Sequence, residues 1–402
     1  MKTEFVKKTL LDIALPEKGS IISGPFGSNI SSKYFQESGV PVIRGNNLSK
    51  NGNIKFIDDG FVFISEEKAD ELNAYAIKDD LIFTAAGTIG QVGIIDEKAK
   101  FEKYVISNKQ LRVRLDPNKV NPLYAYYWYS SPWIFKEIVN KNTGSTVPLI
   151  NLGIIKSLEI KLPKERKDQD KIAAVLSALD AKIELNARIN AELESMAKTL
   201  YDYWFVQKSN VGKLKVGKLG DFIEVNARSI TKDYPHNEIE YIDIASVSTG
   251  RLEGITKYEL KDAPSRARRL VKDGDTIWST VRPNRKSYLF ICNPSDNLVV
   301  STGFAVLTPK NIPPSFLYFF TTTEQFINYL VSNAEGSAYP AVSADRFAEI
   351  DFSIPPEKKL AEFENIVNPM LTKISENEKE SQTLTELRDW LLPMLMNGQV
   401  RV

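Results

Sequence analysis

One pattern is written twice along this chain, and that duplication restricts the fold more than any other feature. Residues 121–163 and 313–355 align without a gap at an offset of 192: Pro122 with Pro314, Tyr126 with Tyr318, Gly144 with Gly336, Ser145 with Ser337, and Pro148 with Pro340. Leu158, Ile160, Leu162 and Pro163 then match Ile350, Phe352, Ile354 and Pro355. Apolar residues at alternate positions before a proline describe a half-buried strand that stops there. Upstream the copies have drifted, and only DDLIFT (Asp79 to Thr84) against GDTIWS (Gly274 to Ser279) still corresponds. A repeat of this size predicts two globules rather than one core.

Each copy runs into a long helical pattern. Ile172, Leu176, Leu179 and Ile183, then Leu193, Leu200 and Trp204, fall at spacings of four and three, with Asn186, Asn190 and Ala197 completing the seam. The second seam runs through Phe363, Val367, Met370, Ile374, Asn377, Leu384, Leu391 and Leu395. Residues 166–208 hold no proline or glycine, which predicts a rod of roughly 60 Å. Pro369 and Pro393 predict a kink and a frayed end in the second helix. If the helices pack antiparallel, Asn186 and Asn377 meet and fix the register. The predicted fold is α+β: two pseudo-repeated globules, residues 1–163 and 211–355, separated by two long antiparallel coiled-coil helices, residues 164–210 and 356–402. Val211 to Gly220, rich in glycine and lysine, reads as a linker.

Composition removes several functions. With 43% apolar and 26% charged residues the chain is globular, and 52 basic against 51 acidic residues leave it almost neutral. One cysteine, Cys292, excludes a disulfide framework; one histidine, His236, excludes most hydrolase triads and zinc sites. No apolar run approaches the ~20 residues of a membrane span, and charges interrupt the N-terminal segment too often for a secretory signal. The expectation is a soluble, cytoplasmic chain that binds no metal. Gly212 to Lys218 fits GxxxxGK, but Leu219 stands where Ser or Thr would hold magnesium, and a helix precedes it where a strand should. Asn121-Pro122-Leu123-Tyr124 resembles a base-flipping methyltransferase loop, yet Asn-Pro before an aromatic helix is an ordinary cap, and the other copy has Pro313-Pro314-Ser315-Phe316. Neither a dinucleotide fingerprint nor a GxSxG elbow occurs. The chain is read as non-catalytic.

The aromatics Tyr124, Tyr126, Tyr127, Trp128, Tyr129, Trp133 and Phe135 can stack on bases, but Phe316, Tyr318, Phe319 and Phe320 repeat them at helical spacing, which favours a core. The polar loops carry the binding chemistry. Ser265 to Lys286 gathers Arg266, Arg268, Arg269, Lys272, Arg282, Arg285 and Lys286 against two aspartates, with Ser279, Thr280 and Asn284 among them. Arginine presents a fork to guanine, and Lys or Arg pairs with phosphate. The first globule is less basic: Arg44, Asn46, Asn47 and Lys50 in one loop, Ser107 to Gln110 in another. Asn and Gln suit adenine.

With these features assembled, the chain resembles, over essentially its whole length, the specificity subunit of type I restriction-modification enzymes. The resemblance rests on Gly24-Pro25-Phe26-Gly27-Ser28, on Gly39 to Leu48 (GVPVIRGNNL), on Gly144-Ser145 to Pro148 before the strand ending at Pro163, and on the helix from Gln169 through Trp204. The second copy supplies Gly274-Asp275-Thr276-Ile277, Arg282-Pro283 and Gly336-Ser337 to Pro340, and departs by having Ala361 where Gln169 is matched. The resemblance implies that each globule is a target recognition domain reading one half of an interrupted DNA sequence. The helices would space the domains and dock two modification subunits. Those partners would bring S-adenosylmethionine for adenine methylation, and restriction subunits would bring ATP and Mg; none of these is expected on this chain. The predicted DNA-facing residues are Ser28, Arg44, Asn46, Asn47, Lys50, Asn108, Lys109, Gln110, Ser145 and Thr146 in the first domain. In the second they are Arg266, Arg268, Ser279, Thr280, Arg282, Asn284, Arg285, Lys286, Ser337 and Tyr339. The competing reading is a coiled-coil adaptor whose globules bind protein.

Overall fold

The computed structural model describes residues 4–49, 54–207 and 215–402. Its contacts divide the chain into two units: residues 1–184 with 381–402, and residues 185–380. The division falls inside the two long helices.

In the first unit the strands are β1 (Phe5–Thr9), β2 (Ile21–Ser23), β3 (Val40–Ile43), β4 (Val62–Ile64), β5 (Tyr75–Ala76), β6 (Leu81–Thr84), β7 (Val92–Ile94), β8 (Tyr104–Ile106), β9 (Gln110–Val113) and β10 (Glu159–Pro163). They form two four-stranded sheets, β2-β9-β6-β7 and β4-β3-β8-β5, and the pair β1-β10. Helices α1 (Leu10–Ile13), α2 (Glu66–Leu72), α3 (Pro122–Tyr129), α4 (Pro132–Asn140) and α5 (Leu152–Ser157) connect them, and α6 (Arg166–Tyr201) leaves after β10.

The second unit repeats this plan with every strand number raised by ten. Its strands are β11 (Lys215–Lys218), β12 (Ile223–Val225), β13 (Glu238–Ile242), β14 (Thr256–Glu259), β15 (Ala267–Leu270), β16 (Thr276–Ser279), β17 (Tyr288–Phe290), β18 (Leu298–Ser301), β19 (Phe304–Pro309) and β20 (Asp351–Ile354). The sheets are β12-β19-β16-β17 and β14-β13-β18-β15, with the pair β11-β20. A parallel strand pairing recurs as well, β3 with β8 and β13 with β18. Helices α7 (Pro314–Thr321), α8 (Glu324–Ser332) and α9 (Arg346–Glu349) precede the final helix, α10 (Glu357–Asn397). The duplication thus includes the first hundred residues of each copy, where sequence similarity is faint. Lys215–Lys218, which reads as linker in the sequence, is a strand that gives β20 the backbone partner that β1 gives β10.

The loosely matched segments before β6 and β16 prove equivalent. Asp80 accepts the backbone N–H of Ile77 at 2.9 Å, and Asp275 that of Lys272 at 2.8 Å. Both carboxylates are buried and paired: Asp80 with Arg114 Nε at 2.9 Å and Nη2 at 2.8 Å, Asp275 with Arg228 Nη2 and, at 2.7 Å, the Thr308 hydroxyl. Burial pushes both acids above the usual carboxylate range, opposed by the Arg114 and Thr308 bonds. The residues just before them, Asp79 and Gly274, share a left-handed backbone.

The aromatic helices α3 and α7 are core, as their repetition predicts: Tyr124, Tyr126, Tyr127 and Tyr129 are buried in one unit, Phe316, Tyr318 and Phe319 in the other. Asn121 caps α3 through the Tyr124 N–H at 3.0 Å, with Pro122 in the first turn. Gln169 ties α6 to this domain, accepting the Asn121 N–H at 2.9 Å and donating to the Pro163 carbonyl at 2.9 Å. In the second domain Glu364 does related work, accepting the Ser315 N–H at 3.3 Å.

Within each unit the long helices run antiparallel. In the first, Ile172, Ala173 and Leu176 share a core with Leu392, Leu395 and Met396, and Arg388 pairs with Asp180 at 3.1 Å. In the second, Ala197 and Tyr201 pack with Leu360, Phe363, Val367 and Leu371. Asn186 and Asn377 are both buried there. Asn186 donates to Glu380 at 2.8 Å and to the Asn377 carbonyl at 3.4 Å, while Asn377 donates to Asn190 Oδ1 at 2.8 Å. The polar knot is wider than the pair expected from sequence. The helix α10 continues through Pro369 and Pro393 to Asn397. The fraying expected at Pro393 does not occur, because the buried Leu392, Leu395 and Met396 hold that turn against the first domain.

Candidate nucleic-acid interface

The same three backbone bonds frame a loop cluster in each domain. After β6, Ala85 donates to the Lys109 carbonyl at 2.7 Å, Gly87 donates to the Pro148 carbonyl at 2.9 Å, and Ile150 donates back to Ala85 at 2.9 Å. After β16, Thr280 donates to the Gly303 carbonyl at 2.9 Å, Arg282 to the Pro340 carbonyl at 2.7 Å, and Val342 to Thr280 at 2.8 Å. The frame therefore aligns Ala85 with Thr280, Gly87 with Arg282, and Lys109 with Gly303. It also explains the repeated Gly-Ser-x-x-Pro. At Gly144 a Cβ would lie 1.9 Å from the Val147 carbonyl oxygen, so the loop that presents Ser145 and Thr146 closes only around glycine.

In the first domain this frame borders a cleft of about 480 Å³ lined by Arg44, Asn46, Thr84, Thr88, Asn108 and Lys109, among others. In the sequence Arg44 and Asn46 lie in one loop and Asn108 and Lys109 in another; the fold brings them together. Asn46, Asn108 and Lys109 are exposed, while Arg44 is half-buried and donates to the Gly60 carbonyl at 3.2 Å. Ser28 is exposed on the turn Gly27–Ile30, beside Asn108: a Cβ at Gly27 would lie 3.1 Å from the Asn108 amide nitrogen. Ser145 and Thr146 are exposed on the loop bonded to Gly87. Lys50 lies outside the described residues.

Two predicted residues leave the set. Asn47 is fully buried, its oxygen accepting the Arg44 N–H at 2.9 Å and its nitrogen donating to the carbonyls of Ile57 and Asp59 at 3.0 and 2.8 Å. Its polar atoms build the loop and do not face solvent. Gln110 is also fully buried, its amide held by Ser107 and, in the orientation that satisfies both ends, by the Ile43 carbonyl at 3.2 Å and the Gly45 N–H at 3.1 Å. Phe26, absent from the predicted set, is 84% exposed on the same edge. A phenylalanine between Pro25 and Gly27 in a polar loop has no strand or helix to bury it, and that is the signal in the sequence that points to it.

In the second domain Arg266 and Arg268 are exposed on either side of the buried Ala267, and Thr302 donates to the Arg266 carbonyl at 2.8 Å. Arg282 has φ +52° and lies with its guanidinium 4.4 Å from the ring centre of Tyr339, which is 70% exposed. Asn284, Arg285 and Ser337 are exposed nearby in the chain. Thr280 is half-buried and gives its hydroxyl proton to the Gly303 carbonyl at 2.9 Å. Lys286 is paired with Glu324 at 2.7 Å, so part of its charge is already answered within the protein. Ser279 leaves the set: it is buried, and its hydroxyl is bonded to the Val281 carbonyl at 2.9 Å.

Among the described residues no three His, Cys, Asp or Glu side chains gather as a metal site, and no helix is long and apolar enough to cross a membrane.

Comparison with known proteins agrees with this duplicated plan. The family described as "Type I restriction modification DNA specificity domain" matches the chain twice, over residues 25–195 and 212–386. The chain is similar to the type I restriction enzyme MjaIX specificity subunit of Methanocaldococcus jannaschii, with 24% identity over 94% of this chain and 90% of that protein. It is also similar to the type I restriction enzyme HindI specificity subunit of Haemophilus influenzae, at 27% identity over 42% of this chain and 38% of that protein. Among solved structures, the S subunit of a type I restriction-modification system from M. genitalium shares the fold. Its TM-score is 0.64 at 15% identity, covering 98% of this chain and 96% of that one.

Proposed function

Because the chain belongs to the type I restriction-modification DNA specificity family and is a DNA-recognising, non-catalytic specificity subunit, we propose that its two domains read the two halves of one interrupted duplex sequence. The observation that supports this most is the shared frame. Three identical backbone bonds hold three loops in each domain, while the side chains they present differ: Asn46, Asn108 and Lys109 in one, Arg266, Arg282 and Tyr339 in the other. One scaffold with two sets of donors suits two different half-sites. The twofold family match favours DNA recognition over the coiled-coil adaptor.

Asn presents a donor and an acceptor that match the adenine major-groove edge, and Arg presents a fork that matches guanine. Lys109, Arg268 and Arg285 supply the phosphate contacts that set orientation without reading sequence. A near-neutral chain is weak in such contacts, so partner subunits provide part of the affinity. Two modification subunits dock on the helix pair, carry S-adenosylmethionine and methylate adenine; restriction subunits, where present, carry ATP and Mg. The assembly acts on cytoplasmic DNA of a prokaryote.

The test uses this chain purified with its modification partner and a library of randomised duplexes. Methylation is expected only on duplexes holding two fixed stretches separated by a fixed unspecified gap, and none is expected from the chain alone. Methylation indifferent to the spacing of the stretches would contradict the proposal.

A further inference from the structure

The two frames make the same backbone bonds from different residues, and at one of the shared positions a glycine in the first domain stands where the second has an arginine. Gly87 and Arg282 make the same bond, from their N–H to the carbonyl of the matched proline. Both have left-handed backbones, φ +89° and +52°. At Gly87 an added Cβ would meet nothing within 4 Å, and the residue lines the open cleft. At Arg282 a guanidinium occupies the corresponding place, seated on Tyr339 and donating to the Ala338 carbonyl at 3.3 Å.

We propose that this shared position decides what each half-site demands: Arg282, seated on Tyr339, reads a guanine in the second half-site, while the open space at Gly87 leaves the first half-site to the short polar side chains around the cleft. The proposal rests on the two-domain DNA reading above and adds the residue that differentiates the halves. Three physical points carry it. Left-handed backbone is uncommon for a residue with a long side chain, so an arginine there is held by its surroundings. The exposed tyrosine ring fixes the guanidinium plane and lowers the freedom lost on binding. A planar fork so fixed meets the O6 and N7 acceptors of guanine with two pre-set donors, whereas a lysine ammonium is a flexible point charge that does not stack on the ring in this way.

The test compares the full chain and R282G, each assembled with modification partners. The probe is a set of duplexes in which every base pair of the wild-type methylated sequence is varied singly. Glycine accepts a φ of +52° without strain, so the variant keeps its fold, and retained preferences at the other positions of the second half-site verify this within the same experiment. The preference for guanine at one position of the second half-site is expected to fall by roughly 5- to 150-fold, with the other positions retained. R282K, which keeps the charge and loses the fork, is expected to relax the same position. The proposal is overturned if R282G keeps every preference, or if it weakens both half-sites alike. Failure of the wild-type complex to show a two-part target would instead remove the underlying DNA reading, whatever R282G does.

Discussion

Asp80→Ala is expected to cost the first domain about 3–5 kcal/mol, and Asp275→Ala to cost the second domain a similar amount. Each substitution removes a buried acceptor while leaving its donors in place. Without Asp80 the Ile77 N–H and the Arg114 guanidinium lose their partner, and Arg112, itself buried, loses a counter-charge 3.8 Å away. Without Asp275 the same fate meets the Lys272 N–H, Arg228 and the Thr308 hydroxyl. The cost falls mainly on the backbone N–H groups, the Thr308 hydroxyl and Arg112, where no water replaces the lost bond, while the Arg114 and Arg228 side chains, 30% and 37% exposed, can still turn to solvent. A loss of that size is a large fraction of the ~5–15 kcal/mol that holds a domain folded. Since the two carboxylates sit in separate domains, the damage is expected to be separable. Urea unfolding should show one domain's transition move to lower denaturant while the other stays, and sequence preference should fade in only the corresponding half-site. Transitions unchanged in both variants would refute the role assigned to these carboxylates.

The second large effect concerns the helices. Four residues inserted beside Asn186 advance α6 by about 6 Å and rotate its downstream turns by about 40° beyond a full turn. Asn186 then misses the Asn377 carbonyl and Glu380, and the Asn190 side chain, which also donates to the Ile374 carbonyl at 3.2 Å, no longer meets Asn377. A buried polar knot tolerates such a slip poorly, because its groups lose their partners in dry surroundings. If α6 and α10 set the gap between half-sites, the insertion is expected to change that gap or to abolish assembly with the modification partners. Mapping the methylated sequence of the variant decides the matter. An assembled complex with the original gap would count against the helices as a ruler.

Much of this architecture is legible in the residues because it depends on pattern. Alternating apolar positions ending at Pro163 and Pro355 mark strands β10 and β20, and the four-three spacing marks α6 and α10. The aromatic helices are core for the reason that repetition suggests. What escapes is whatever depends on distant partners. The strand order of each domain relies on a parallel pairing, β3 with β8 and β13 with β18, between segments that share no local signal. Lys215–Lys218 looks like linker by composition and becomes a strand only because β20 lacks a second partner. Asn47, Gln110 and Ser279 look like surface residues because polar type does not report burial; each spends its hydrogen bonds on the loops that other residues occupy. Phe26 escapes for the opposite reason, since apolar type does not guarantee burial. Pro393 shows packing overruling propensity, as the last turns of α10 stay helical against a core that needs them.

The central claim is that each domain reads its own half of the target independently of the other, on a common frame. It is tested most directly by replacing the second domain, residues 215–355, with a copy of residues 5–163 while keeping both long helices. The exchange is structurally reasonable, because β1 pairs with β10 as β11 pairs with β20, so either domain ends at the same point before its helix. Methylated adenines are then mapped across the host genome in the strain carrying this chimera. The account predicts a sequence in which the first half-site appears on both sides of the gap and the second has vanished. A map identical to that of the original chain, or one matching neither half, would contradict it.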